Sequence, residues 1–519
     1  MKISIFEDKC AGAMVCAAIG DALGWPNEFR AKNMSKTKVQ DDFFVKWSRR
    51  CGGQYWNHDE VIRAGEYSDD TQMIIATARC LLRGPKWNVH FTKNELPYWL
   101  EYERGGGSAL KRAAHCWRDR GNTPWDTKNK EKDIHNYYNA GGNGVAMRIL
   151  PHVIYNLNGS VNTLMEDVMR SGMYTHGHPR ALIGATCYAY ALWILAHKQS
   201  VLEYGELINE VISGQDIWGK FYFIPNTTQW LEGANVHVEK NYLDLWSECV
   251  NKTVEGLLIT KKSINKGLLD MGNEALIEIG CFDKQVNGAG DVAAISAIYL
   301  ASKYASNPKL GIKEAAFMHG TDTDTIASMV GGLLGMLHGT QWIPTEWRIV
   351  QDYDFLIKLS NALVSADENF DEMIARMNNN ELQENHEWRS TPIGKISNVE
   401  HWIIKTTKSS EISITKAITA WGQTIFIKQY SRITVTNNME YNRLQNVLVP
   451  SVTGNLEFDS QMIQSLLQQP IQKLGFKKVL QIAGKLLSGQ SDSALIASEL
   501  NTQVQYVDII KGCVKNNNR

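Results

Sequence analysis

The stretch CAGAMVCAAIGDALG, residues 10–24, decides the reading of the fold. Ala11, Val15, Ala18 and Ala22 recur at the spacing of one helical face. The same spacing returns in Met73, Ile74, Thr77 and Leu81, and in Ile183, Cys187, Tyr190 and Ile194. Many of these positions are Ala, Gly or Ser, which lets helices approach closely. The pattern holds to about residue 365 and predicts a compact all-α domain, with glycine-rich loops at Gly105–Gly107, Gly141–Gly144 and Gly288–Gly290. The apolar runs Cys10–Gly20 and Ile326–Leu337 are shorter than the ~20 residues a bilayer demands. Glu7 and Asp8 before the first run, and Asp21 after it, mark a structural helix rather than a signal peptide.

The 519 residues exceed one domain's worth of chain, and 44% hydrophobic content supplies a sizeable core. With 54 Lys+Arg against 55 Asp+Glu, the net charge of −1 gives no global attraction to nucleic acid or to an anionic membrane. Nine cysteines without a Cys-x-x-Cys pair suggest neither a disulfide framework nor a zinc site, so the cytoplasm is the expected compartment. Residues 214–246, with Trp218, Phe221, Tyr222, Phe223, Trp230 and Trp246, read as an insertion or lid. The composition shifts near residue 366, and Asn378–Asn385 suits a linker. Beyond it, Glu411–Thr415 and Thr424–Thr436 resemble strands, and helical patterns return at Ser460–Leu467, Lys477–Leu487 and Asp492–Leu500. The expected division is a helical domain over 1–365 and a smaller α+β accessory region over 366–519.

Two acidic clusters each precede an apolar helical run: Ser68-Asp69-Asp70-Thr71 and Thr321-Asp322-Thr323-Asp324-Thr325. Helix capping explains one oxygen at each place. It does not explain two carboxylates with flanking hydroxyls, which repel unless protonated or bridged by cations. Hard oxygen donors without thiolates favour Mg²⁺ or Mn²⁺ over zinc. Glu28 is a third acidic position, just after a helix end. Gly141-Gly142-Asn143-Gly144 enters a helical segment with Met147 and Arg148, where successive glycines can turn amides toward phosphate. Thr175-His176-Gly177-His178-Pro179 precedes another helix, and such histidines more often cap the helix or contact a ligand than bind zinc.

Taken in order, these motifs resemble the ADP-ribosylglycohydrolase family over about residues 5–365. The matching series runs from Gly12-Ala13 through Gly20-Asp21-Ala22-Leu23-Gly24 to Glu28, then Ser68-Asp69-Asp70-Thr71-Gln72-Met73. It continues with Gly142-Asn143-Gly144-Val145-Ala146-Met147-Arg148 and Thr175-His176, and ends at Gly320-Thr321-Asp322-Thr323-Asp324-Thr325-Ile326. The resemblance implies a compact all-α fold and a hydrolase that cleaves ADP-ribose from a modified macromolecule, a protein side chain or nucleic acid, at ribose C1. It implies two Mg²⁺ or Mn²⁺ ions held by Ser68, Asp69, Asp70, Asp322, Asp324 and Thr325. Glu28 matches the family's catalytic acidic residue. Gly142, Asn143, Gly144, Met147, Arg148 and His176 fall in the ADP-ribose loops. Two departures stand out: Thr321 replaces a common glycine, and Val145 replaces a small residue and is expected to narrow the ribose pocket. A non-catalytic ADP-ribose-binding or regulatory protein on the same scaffold is the alternative.

Within 366–519, Ser491–Asn501 followed by Val504 and Val507 forms a helix-turn-helix pattern near 476–515, with small Ala497 and Asn501 at the corner. Residues 476–519 carry six basic and three acidic side chains, too few cations to favour DNA over protein docking. A protein or nucleic-acid partner is expected there, and no membrane. Because every catalytic match lies before residue 326, a chain ending near residue 370 is expected to fold and retain small-substrate cleavage.

Overall fold

The computed structural model describes residues 5–30, 43–53, 56–224, 227–267, 272–365, 387–407 and 410–432, and further along 470, 473–474, 476–487, 490 and 492–515. Helices form where the apolar periodicity places them. The principal ones are α1 (Ile5–Arg30), α2 (Asp69–Leu81), α3 (Ser108–His115), α4 (Pro179–His197), α5 (Tyr242–Lys266), α6 (Gly290–Lys303), α7 (Thr323–His338) and α8 (Tyr353–Val364). Shorter helical turns link them, and one hydrophobic core runs through the bundle. No helix among the described residues is long and apolar enough to cross a membrane.

Glycine sets how α1 and α7 meet. A Cβ on Gly20 would lie 2.0 Å from the Ala327 carbonyl oxygen, and one on Gly24 would lie 2.3 Å from that of Thr323. A Cβ on Gly335 would lie 2.2 Å from the Gly12 carbonyl oxygen. No side chain fits at those points, so the backbones touch over most of their length. The pairings run in opposite directions along the chain. The C-terminal end of α1, carrying Glu28, therefore meets the N-terminal end of α7, carrying Asp322 and Asp324.

An antiparallel hairpin, β1 (Trp47–Cys51) and β2 (His58–Ile62), pairs Arg49 with Glu60. A four-stranded sheet follows the helices in the order β3 (Trp388–Thr391), β4 (Gly394–Thr407), β5 (Ser410–Thr419) and β6 (Thr424–Arg432). The first compact unit comprises Met1–Ile404 and Ser413–Gln429, so it runs past residue 365, where the sequence reading ended the helical domain. The physical reason is buried polarity. Asp352 Oδ2 accepts hydrogen bonds from the Tyr67 hydroxyl at 2.7 Å and the Thr424 amide at 2.9 Å. The buried Arg79 guanidinium pairs with Glu95 and also donates to Gln423. Lys428 Nζ donates to buried Glu60 at 2.8 Å. The turn before β6 packs Gly422, at φ +106°, against the Phe355 ring of α8. The sheet thus answers charges that the helices leave inside.

The expected lid at 214–246 is a packed wall instead. Trp218, Tyr222, Trp230 and Trp246 are buried, while Phe223 is exposed. Trp230 Nε1 donates to the Tyr137 hydroxyl at 2.8 Å, and Trp246 Nε1 to the Gly219 carbonyl at 2.7 Å. Indoles that bury their rings and satisfy their N–H groups belong to the core.

The second compact unit holds Lys405–Ile412 and Tyr430–Arg519. Its described helices are α9 (Phe476–Leu487), α10 (Ser493–Glu499) and α11 (Val504–Lys515). Asp492 caps α10, and Asn501 turns the chain at φ +47° while Ala497 is buried at the corner. The expected linker Asn378–Asn385, the helix at 460–467, Ser491 and the strand beyond Arg432 fall outside the described residues.

The sheet's buried contacts reverse the expectation for a shortened chain. Ending it at residue 370 removes Lys428, Gln423 and Thr424 from groups buried among the helices. We expect a loss of about 3 kcal/mol or more, the scale of several buried hydrogen bonds removed at once. Thermal unfolding beside dye binding to exposed apolar surface reads this, and an unchanged midpoint would mean the helices stand alone.

Candidate functional site

The N-terminus of α2 is built around a carboxylate from α1. Asp21 accepts hydrogen bonds from the Ser68 amide at 3.0 Å, the Thr71 amide at 3.0 Å and the Thr71 hydroxyl at 2.6 Å. Ser68 Oγ accepts from the Asp70 amide at 3.2 Å and so caps the helix. With Asp21 and Ser68 satisfying the free amides, Asp69 and Asp70 are released from capping and turn toward the neighbouring cleft.

The second cluster arrives with α7. Thr323 Oγ1 donates to the Gly24 carbonyl at 2.9 Å, which ties the helix start to α1. Thr325 Oγ1 lies 3.4 Å from Asp70 Oδ2, joining residues 255 apart in the chain. A cleft of about 380 Å³ is lined by Glu28, Asp69, Asp70, Asp322, Asp324 and Thr325. Gly142, Asn143, Gly144, Met147 and His176 form its other wall. Of the thirteen residues singled out in the sequence, eleven face this one space. Ser68 and Arg148 do not.

The carboxylates are crowded. Burial, then the charges of Glu103, Asp21 and Glu28, holds the Asp69 pKa well above the usual range. Burial with Asp21, Asp69 and Asp322 does the same to Asp70, and burial with Glu28, Asp322 and Asp70 to Asp324. Asp70 Oδ1 is buried and meets no hydrogen-bond donor among the described residues. Such a set of hard oxygens with an unanswered buried acceptor fits a divalent cation such as Mg²⁺ or Mn²⁺. Among the described residues no three His, Cys, Asp or Glu are already gathered as a cage. Mg²⁺ uses few carboxylates with waters rather than an all-protein shell.

The glycine loop is tied down on both sides. Asn143 donates its amide to the Gly288 carbonyl at 3.0 Å and its side-chain Nδ2 to Asp322 Oδ2 at 2.9 Å. Not every amide of the loop is therefore available to a phosphate. Arg148, expected among the ligand contacts, lies fully buried beneath the loop. It donates to the Gly144 carbonyl at 3.2 Å, to the Ser171 carbonyl at 2.8 Å and to Thr175 Oγ1 at 3.0 Å. Burial without a carboxylate partner lowers its pKa to about 9. It acts as a brace between the glycine loop and the 171–175 turn. Val145 likewise faces the core, where its Cγ1 would sit 3.0 Å from a Cβ on Gly172, so it does not narrow the cleft.

His176 pairs through Nδ1 with Thr175 Oγ1 at 2.8 Å, and burial lowers its pKa to about 3, so the ring is neutral. His178 Nδ1 accepts the Arg180 amide at 3.2 Å and caps α4, which disposes of a His-x-His metal pair. To three residues the sequence reading gave no role in the site. Asp21, a lone carboxylate in an apolar run, was the visible signal for the α2 anchor. Gly288 and the exposed Arg112 also line the cleft, and an exposed Arg on a helix carries no signal of its own.

The chain is similar to known proteins. The family model described as ADP-ribosylglycohydrolase matches residues 3–372. A 182-residue stretch is 29% identical to the ADP-ribosyl-[dinitrogen reductase] glycohydrolase of Rhodospirillum rubrum, covering 35% of this chain and 55% of that one. The chain thus spans about half the length of that relative. A solved structure titled ADP-ribosylglycohydrolase-related protein complex aligns with 19% identity and a TM-score of 0.44, over 70% of this chain and 99% of its own. The match to the family model, across the residues that build the cleft, places this chain in the ADP-ribosylglycohydrolase family.

Proposed function

We propose that this chain removes ADP-ribose from a modified macromolecule by hydrolysing the bond between ribose C1 and its acceptor. The observation that carries the reading is the meeting of Glu28, both acidic clusters and the glycine loop in one cleft. Asp69, Asp70, Asp322 and Asp324, with Thr325 beside them, would hold two Mg²⁺ or Mn²⁺ ions, and Ser68 would serve them from behind as the cap of α2. When bound, such ions supply Lewis acidity toward hydroxyl and water oxygens.

Cleavage at C1 passes through an oxocarbenium-like state, which needs an aligned water and a group to take its proton. Glu28 fills that role, an acceptor at the end of α1 beside Asp69 and Asp324. The Gly142–Gly144 loop, held in place by Asn143, orients the ribose side, with neutral His176 packed behind Gly144. Arg112, on the cleft wall, offers the positive charge a diphosphate calls for. The helix-turn-helix order of α9–α11 suits docking of the modified target, a protein or a nucleic acid.

The test is release of ADP-ribose from a panel of arginine-, serine- and nucleic-acid-linked acceptors, with Mg²⁺ and with Mn²⁺. Glu28→Gln is expected to lower kcat by about 10²- to 10⁴-fold while ADP-ribose binding persists, because Gln keeps the shape but accepts no proton. A wild-type chain that binds ADP-ribose without turnover on any acceptor would establish the binding-protein alternative.

The metal assignment has its own readout. In chelator, Asp324→Asn is expected to melt no lower than wild type, since it removes one of the mutually repelling charges. Mn²⁺ at 100 times its Kd should stabilise wild type by about 2.7 kcal/mol and the variant by clearly less. A folded Asp324→Asn protein with normal turnover and no metal dependence would falsify the two-ion reading.

A further inference from the structure

We propose that Lys428, on β6, is a positioning residue for the cleft, gripping the 101–107 segment whose Gly105 backs onto Asp69. The kinetic part of this inference rests on the hydrolase reading of the cleft; the structural part does not.

Lys428 holds the segment in three ways. Its amide donates to the Glu101 carbonyl at 3.0 Å, and its Nζ lies 3.4 Å from the Glu103 carbonyl. Nζ also donates to Glu60 Oε2 at 2.8 Å. Glu60 is a hub, taking Arg49 Nε on Oε2 at 2.9 Å and Arg104 Nε on Oε1 at 3.1 Å. Arg104 reaches on to Glu66 at 2.8 Å and stacks 4.1 Å over the Phe426 ring, two residues before Lys428 on the same strand. All of these charged side chains are buried. Three cations against two carboxylates, out of water, hold geometry more firmly than any surface pair.

The segment so held passes directly to the site. The Arg104 amide donates to Gln72 Oε1 at 3.3 Å, and Gln72 Nε2 donates to the Tyr102 carbonyl at 3.0 Å; Gln72 is two residues from Asp70 on α2. Gly105 then turns at φ +112°, where a Cβ would lie 2.9 Å from Asp69 Oδ1 and 3.4 Å from Trp25 Nε1. Gly107 and Ser108, which follow, line the cleft. A shift of the 101–104 backbone is thus transmitted to the wall against Asp69. Nothing in the motifs of residues 5–365 points to this strand.

The experiment uses the full chain with Lys428→Met and Lys428→Arg. Met is chosen because Arg49 and Arg104 still face Glu60, so no buried charge is orphaned. For Lys428→Met we expect faster amide hydrogen exchange across 101–107 and a kcat lowered by about tenfold or more, with KM changed less than about twofold. Lys428→Arg should recover most of both. A folded Lys428→Met protein with unchanged kcat overturns the proposal, whether or not exchange rises, because the residue is then structural only. If that variant does not fold, Phe426→Leu, which withdraws the ring from Arg104 and leaves every charge in place, is read by the same outcomes. A wild-type chain inactive on all acceptors sinks the hydrolase reading separately. In that event Lys428 is decided by exchange across 101–107 and by ADP-ribose affinity, and no change in either overturns it.

Discussion

The backbone contact between α1 and α7 is the constraint on which the site depends. Where Gly20 meets Ala327 and Gly24 meets Thr323, no side chain intervenes, and the helices lie as close as their main chains allow. Adjacent helices ordinarily lie 8–10 Å apart, with side chains setting the gap. Here the gap is set by carbonyls and α-carbons, which have no rotamers to adjust. The distance between Glu28 and Asp324 is therefore not a matter of loop conformation. It follows from the register of two long helices.

That rigidity has an electrostatic consequence. Two helix N-termini converge on the cleft, and each favours negative charge near its first turn by a few tenths to 1 kcal/mol. Such dipoles do not offset this many carboxylates around one cleft, and the raised pKa values of Asp69, Asp70 and Asp324 express the deficit. A flexible site would relieve it by swinging the side chains into solvent. The caps supplied by Asp21 and Ser68, and the tie from Thr323 to Gly24, deny that escape. The deficit is instead available to whatever cation enters. In this sense the binding energy of a ligand is prepared by the fold.

The helical architecture was legible because periodicity in Ala-rich stretches such as 10–24 reports directly on buried helix faces. The acidic clusters were legible because two carboxylates exceed what a cap uses. Arg148 was misread for a physical reason: its place beside the glycine loop is the same whether the side chain points into the cleft or under it, and only burial distinguishes the two. Val145 failed in the same way. The aromatic stretch 214–246 reads as irregular because it crosses from one helix to the next and its tryptophans satisfy their N–H groups on neighbouring segments, which no local pattern records.

The boundary near residue 365 shows a different kind of limit. Composition does change there, and helical periodicity does stop, but a compact unit ends where its buried polar groups have all found partners. Glu60, Arg79 and Asp352 find theirs at Lys428, Gln423 and Thr424. Lys428 and Thr424, read alone on β6, belong to the solvated face of an alternating pattern, and Gln423 to the turn before it. A lysine among Ile425, Phe426 and Ile427 signals an inward charge only once a buried glutamate is known to lie against it, some 370 residues earlier in the chain. Periodicity sees which face of an element is apolar; it cannot see a charge that is complementary across elements. Buried ion pairs therefore tie distant parts of the chain into one unit exactly where a sequence reading is most inclined to divide them.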